Sequence, residues 1–224
     1  MEPDLRVVDD PAGEAAERLA AASGHVVLTG GSTPRVAYER VAETRPDWGG
    51  VDFWFTDERC VPPDHEHSNY AMAERALLGR AEGATVHRMQ GELGPREGAD
   101  VYERELEEAF GEALPRFGLM VIGMGPDAHV CSLFPGDEAL GERERRVVGV
   151  ETPGMAPLVS RITLTLPVVN NGRELLFLIT GEDKADAVSR AFAGPPDPRA
   201  PASLVRPENG TLTVLLDAAA ASRL

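Results

Sequence analysis

Residues 25–34 read HVVLTGGSTP: a short apolar, β-branched run, two glycines, two hydroxyl residues and a proline. That order predicts a buried strand over His25–Thr29, a tight turn at Gly30-Gly31, and a helix opened by a hydroxyl cap with Pro34 at its first position. A buried strand feeding a helix through glycines is the repeating unit of a parallel sheet. The flanking segments repeat it. Residues 11–23 (PAGEAAERLAAAS) are rich in helix formers, with Gly24 as a stop signal. Val51–Thr56 (VDFWFT) reads as a second strand, and Asn69–Leu78 as a short helix.

Further along, residues 96–113 form a strongly acidic helical stretch with a solvated face. Gly118–Ile122, Val147–Val150, Leu175–Thr180 and Leu212–Leu216 are apolar strand candidates. Residues 194–201 (GPPDPRAP) make a proline-rich loop too short to link domains. Strands alternating with helices predict an α/β class: one domain over residues 1–224, with a mainly parallel sheet covered on both faces.

Composition bounds the function. The 224 residues carry 22 Lys and Arg against 37 Asp and Glu, a net charge of −15. Nucleic acid and anionic membrane surfaces are thereby disfavoured, since both need clustered positive charge. Arg outnumbers Lys by 21 to one, so a lysine-dependent task can only fall to Lys184. Cys60 and Cys131 form no C-x-x-C pair, and an acidic N-terminus lacks the features of a secretory signal. A cytoplasmic protein with reduced thiols is the expectation.

Ligands of such sheets gather at the carboxyl ends of the strands, and three segments with suitable chemistry fall there. Gly30, Gly31, Ser32 and Thr33 offer close backbone approach, hydroxyls and a helix N-terminus, which suit a phosphate. The same residues also make an ordinary turn and cap, and the Walker A spacing is missing. Asp57, Glu58 and Arg59 follow the second strand; as neighbours they point in different directions, so the two carboxylates are not expected to work as one pair. His65 and His67 lack a third spaced ligand, and no metal site is expected. Gly123, Gly125 and Ala128 satisfy G-x-G-x-x-A only weakly, because Asp127 would face a pyrophosphate and Pro135-Gly136 would cut the following helix short. His129, just past a strand and a glycine turn, is placed for acid–base work. Arg161 precedes the alternating run ITLTLP and Lys184 follows the strand Leu175–Thr180, so the two cations could close a phosphate clamp.

Taken in order, the motifs GGSTP (30–34), FTDERCVPP (55–63), SNYAMA (68–73), GMGPDAHVCSLFPG (123–136), SRITLTLP (160–167), TGEDKADAV (180–188) and PASLVRP (201–207) resemble the 6-phosphogluconolactonase family. The resemblance spans nearly the whole chain. It implies a Rossmann-like three-layer α/β/α fold shared with glucosamine-6-phosphate deaminases and ribose-5-phosphate isomerases. It also implies hydrolysis of 6-phospho-D-glucono-1,5-lactone in the pentose phosphate pathway without metal or cofactor, by a monomer or small homo-oligomer. His129 would act as general base, Asp57 or Asp127 would hold its tautomer, and Arg59 would support the oxyanion. Gly30, Gly31, Ser32, Thr33, Arg161 and Lys184 would take the phosphate.

Two positions depart from the family pattern G-x-G-x-D-G-H-x-A-S-L-F-P-G. Ala128 replaces a glycine and Cys131 an alanine, both small changes unless the backbone at 128 needs a positive φ. The rival within the fold is a deaminase, which resembles H-x-A-F-N-E-P after the histidine. Its glutamate would stand at Phe134, so ring opening lacks its carboxylate. A non-catalytic sugar-phosphate sensor would carry an N-terminal DNA-binding domain, and only about two dozen residues precede the first expected strand.

Overall fold

The computed structural model describes residues 2–224. Seven strands form one sheet: β1 (Asp4–Val7), β2 (Gly24–Leu28), β3 (Val51–Phe55), β5 (Thr85–Val86), β6 (Leu119–Ile122), β9 (Glu174–Ile179) and β10 (Thr211–Leu216). Their order is β1-β10-β9-β6-β2-β3-β5, and every pairing is parallel. The helices are α1 (Pro11–Ala21), α2 (Ser32–Thr44), α3 (Asn69–Ala76), α4 (Pro95–Phe110), α5 (Leu166–Asn170) and α6 (Ala185–Phe192). This is the expected three-layer α/β arrangement.

Alternation along β3 shows how both faces are filled. Phe53 packs on Trp48, while Trp54 turns to the opposite face and meets Tyr102 and Phe110 of α4, together with Phe117. Strand β6 is buried along its whole length, which is why it reads as an unbroken apolar run. Each Leu, Val or Phe so enclosed contributes about 1.5–3 kcal/mol relative to exposure.

Several expectations need correction. β1 and β5 carry no buried side chains, so neither shows an apolar run. Because β1 begins at Asp4, the first strand is not preceded by two dozen residues. Helix α2 is capped by Gly31 without a side-chain hydrogen bond, and Pro34 is its third residue. No helix follows His129; the segment closes in a turn with an isolated bridge between Val130 and Leu133. Val147–Val150 (β7) is a strand but not of the main sheet. It joins β8 (Arg161–Leu164) and the three-residue β4 (Asp57–Arg59) in a separate antiparallel sheet. Helix α4 packs against β7 and β8 on one side and against Trp54 on the other.

Sheet order reverses direction at β2 and β6: the chain runs outward to β3 and β5, then returns to build β6, β9 and β10. The loops leaving β2, β6 and β9 therefore diverge around one crevice, where an open α/β sheet binds its ligand.

Candidate active site

A cavity of about 240 Å³ opens in that crevice. Its wall includes Gly30, Gly31, Ser32, Thr33, Asp57, Arg59, His129, Arg161 and Lys184. Segments as far apart in sequence as Gly30 and Lys184 thus converge, and every expected site residue except Asp127 contributes surface. Asp127 stands behind His129 instead.

The His129 imidazole is held by its own turn. Asp127 Oδ1 lies 2.6 Å from Nδ1 and also accepts the His129 backbone N–H at 3.1 Å. A carboxylate only accepts, so Nδ1 carries a proton, and in the neutral imidazole Nε2 is the nitrogen with the free lone pair. Burial is the largest single influence and works against the Asp127 charge, yet the His129 hydrogen bond, the charge His129 can carry and the backbone N–H donors together outweigh it and hold the carboxyl below its ordinary range. Phe134, buried, covers the imidazole with ring centroids 4.5 Å apart. Gly125 makes the pose possible: a Cβ there would lie 2.1 Å from Nδ1.

The turn has an unexpected cost. Ala128 has φ 69° and Cys131 φ 55°, so both occupy the left-handed region that favours glycine. Position 128 therefore does need a positive φ, which the family glycine adopts without strain and alanine adopts at a cost. Burial, reinforced by the charge of Asp57, pushes the Cys131 thiol well up, so it is no thiolate nucleophile.

Asp57 and Glu58 point opposite ways along β4, as their adjacency predicts. Glu58 is buried and accepts from the backbone N–H groups of Arg59, Asn69 and Tyr70 and from the Ser68 hydroxyl, at 2.7–2.9 Å. It anchors the start of α3, and burial pushes its carboxyl up despite those four donors. Asp57 faces the cavity, with Thr56 Oγ1 at 2.8 Å from Oδ1 and Ser132 Oγ at 2.7 Å from Oδ2. It makes no hydrogen bond to His129 among the described residues, so Asp127 is the carboxylate that orients the imidazole.

Arg59 and Arg161 stand directly opposite each other across the β4–β8 ladder. Like charges so placed repel, and an anion between them would relieve the repulsion. Arg59 donates to His67 O at 2.7 Å, while its Nε is buried without a partner among the described residues. Arg161 is only 4% exposed. It spends Nε and one terminal nitrogen on the carbonyls of Val159, Met155 and Pro157, which shapes the loop carrying Met155 and Ala156 over the cavity. Burial, with Arg59 nearby, holds its guanidinium below the ordinary range. Lys184 Nζ lies 3.5 Å from Asp183. Thr33 and Thr180 share a hydrogen bond of 2.7 Å that joins the β2 and β9 loops.

Ser132, Asn69, Met155 and Ala156 are site residues that motif reading did not single out. Asn69 donates to Asp57 O at 2.8 Å, and a Cβ on Gly30 would fall 1.9 Å from its Oδ1. A serine or asparagine in an ordinary loop carries no signal until its partner is placed. His65 and His67 gather no third ligand, and no group of metal-binding side chains occurs among the described residues.

A family model described as "Glucosamine-6-phosphate isomerases/6-phosphogluconolactonase" matches residues 6–214. The chain belongs to this family. Among its relatives is a 6-phosphogluconolactonase of Homo sapiens, 41% identical over 174 residues, covering 76% of this chain and 67% of that protein. Another, from Streptomyces coelicolor, is 39% identical over 218 residues, covering 90% and 82%. The solved 6-phosphogluconolactonase of Trypanosoma cruzi superposes with a TM-score of 0.87 at 28% identity, covering 100% of this chain and 98% of that one. The buried Phe134 ring stands beside His129, so an aromatic ring and not a carboxylate occupies that position in this chain.

Proposed function

We propose that the chain hydrolyses 6-phospho-D-glucono-1,5-lactone to 6-phosphogluconate, as the names of its relatives suggest. The observation that carries the reading is the His129–Asp127 pair opening on the same cavity as Arg161 and Lys184. A δ-lactone is an activated ester and needs no covalent nucleophile. His129 Nε2 takes a proton from water as the water oxygen bonds to C1, and the imidazolium is stabilised by Asp127. The tetrahedral oxyanion collapses, the C1–ring oxygen bond breaks, and Nε2 returns the proton to the departing oxygen. The new carboxylic acid then ionises, releasing one proton to solvent. General base catalysis of this kind is worth about 10²–10⁴-fold.

Arg59 supplies positive charge to the oxyanion. Arg161, Lys184, Ser32, Thr33 and the Gly30-Gly31 backbone take the 6-phosphate. Asp57, freed from His129, accepts a hydroxyl of the sugar. The reading places the enzyme in the cytoplasm, in the pentose phosphate pathway, with no metal or cofactor.

Incubation with freshly generated 6-phosphogluconolactone, unphosphorylated gluconolactone and glucosamine 6-phosphate tests it. Acid release above the spontaneous rate is expected with the first, far less with the second, and no ammonia with the third. Equal rates on the two lactones would remove the phosphate clamp, and ammonia release would reassign the chain to deamination.

A further inference from the structure

We propose that Ser132 is a positioning residue that aims the Asp57 carboxylate at a substrate hydroxyl; this rests on the lactonase reading above. Asp57 Oδ2 accepts the Ser132 hydroxyl at 2.7 Å, across 75 positions of sequence. Ser132 is fully buried, and its backbone N–H is fixed by Thr163 Oγ1 of β8 at 3.1 Å. Thr56 holds the other carboxylate oxygen at 2.8 Å, and the Thr29 hydroxyl lies 3.0 Å from that of Thr56. The plane of the Asp57 carboxylate is therefore set by two hydroxyls, one per oxygen.

The path of the chain supports a specific role rather than plain packing. Ser132 lies three residues beyond His129 on the same turn, and that turn places both Ala128 and Cys131 at positive φ. One strained loop thus turns His129 into the cavity and Ser132 towards Asp57. Each oxygen of a carboxylate has two lone pairs, and the two hydroxyls use one on each. The remainder can accept from a polyol, with the carboxylate held in place before the sugar arrives.

Ser132→Ala removes the aim and leaves the charge. A lost hydrogen bond to a charged group weakens binding about tenfold. The expected result is a KM for the lactone about tenfold higher, with kcat falling less than KM rises. Ser132→Cys, with a weaker donor of similar shape, is expected to fall between. A double-mutant cycle with Asp57→Asn separates positioning from general packing: once Asp57 is altered, Ser132→Ala should raise KM by less than about twofold more.

Binding of 6-phosphogluconate by calorimetry gives a readout that needs no turnover. The same variants should weaken it in the same order. An unchanged KM and product affinity in folded Ser132→Ala, or effects that multiply in the double variant, would overturn the proposal. Should Ser132→Ala not fold, Ser132→Cys with wild-type KM and product affinity would overturn it equally. Wild-type protein that binds product but leaves the lactone untouched would overturn the lactonase reading alone, and the calorimetric cycle would still decide the role of Ser132.

Discussion

Asp127 takes one proton-bearing nitrogen of His129 and so decides which nitrogen faces the cavity. Asp127→Asn presents an amide in that place, which can donate to Nδ1 and leave the proton on Nε2, the wrong tautomer for a base. A fall in kcat of about 10²–10⁴-fold is expected, with a much smaller change in KM, measured against the spontaneous lactone rate. Residue 128 poses a different balance. A left-handed alanine costs about 1–2 kcal/mol, whereas its methyl is fully buried and contributes about 0.8 kcal/mol. Glycine relieves the first, forfeits the second and loosens the unfolded chain, so Ala128→Gly should leave Tm within about 2 °C. Ala128→Val adds a β-branch at positive φ and overfills the site, and a loss of more than about 5 °C is expected. Thermal unfolding of the two variants checks both signs.

Among the elements, the edge strand β5 is two residues long, yet its successor His87 ties it to the rest. The imidazole stacks on Trp54 at 3.8 Å, with Asp52 at 3.4 Å and Glu105 of α4 at 3.6 Å. Burial disfavours the His87 charge, but the two carboxylates prevail and raise its pKa above the usual 6.5. Protonated His87 therefore stabilises the folded chain fully below pH 6.5, and that contribution is lost as pH rises through the folded value. Glu105→Gln should lower Tm by about 1–2 °C more at pH 6 than at pH 8.5. An equal loss at both values would mean that His87 charge plays no part. Strand and helix identities in this region follow from local pattern, whereas the pairing of β5 with β3 does not, because Thr85 and Val86 bury nothing.

At the scale of the whole molecule, a chain of net charge −15 collects Arg59, Arg161 and Lys184 around one cavity. The concentration is a product of topology, since the three residues belong to the small sheet and to the loop after β9. Sequence by itself determined the α/β class, most strands of the main sheet and the helices α1 to α4, and it pointed to His129 as the candidate base. Each is a local matter: apolar runs, glycine turns and helix formers act over a few residues, and the ordered motifs carry the family. It also excluded a pair of carboxylates working together at Asp57 and Glu58, because adjacent strand residues face opposite ways. Only the tertiary structure decided that Asp127 and not Asp57 orients His129. It alone took β7 out of the main sheet and paired it with β8 in a separate antiparallel one, set Arg59 opposite Arg161, and brought Ser132 to Asp57. The reason is physical. A short apolar strand reads alike in either sheet, and the register and partner of a buried polar group are chosen by how whole layers pack, as with Ser132 and Asp57 across 75 positions, where no periodicity in the chain can specify them.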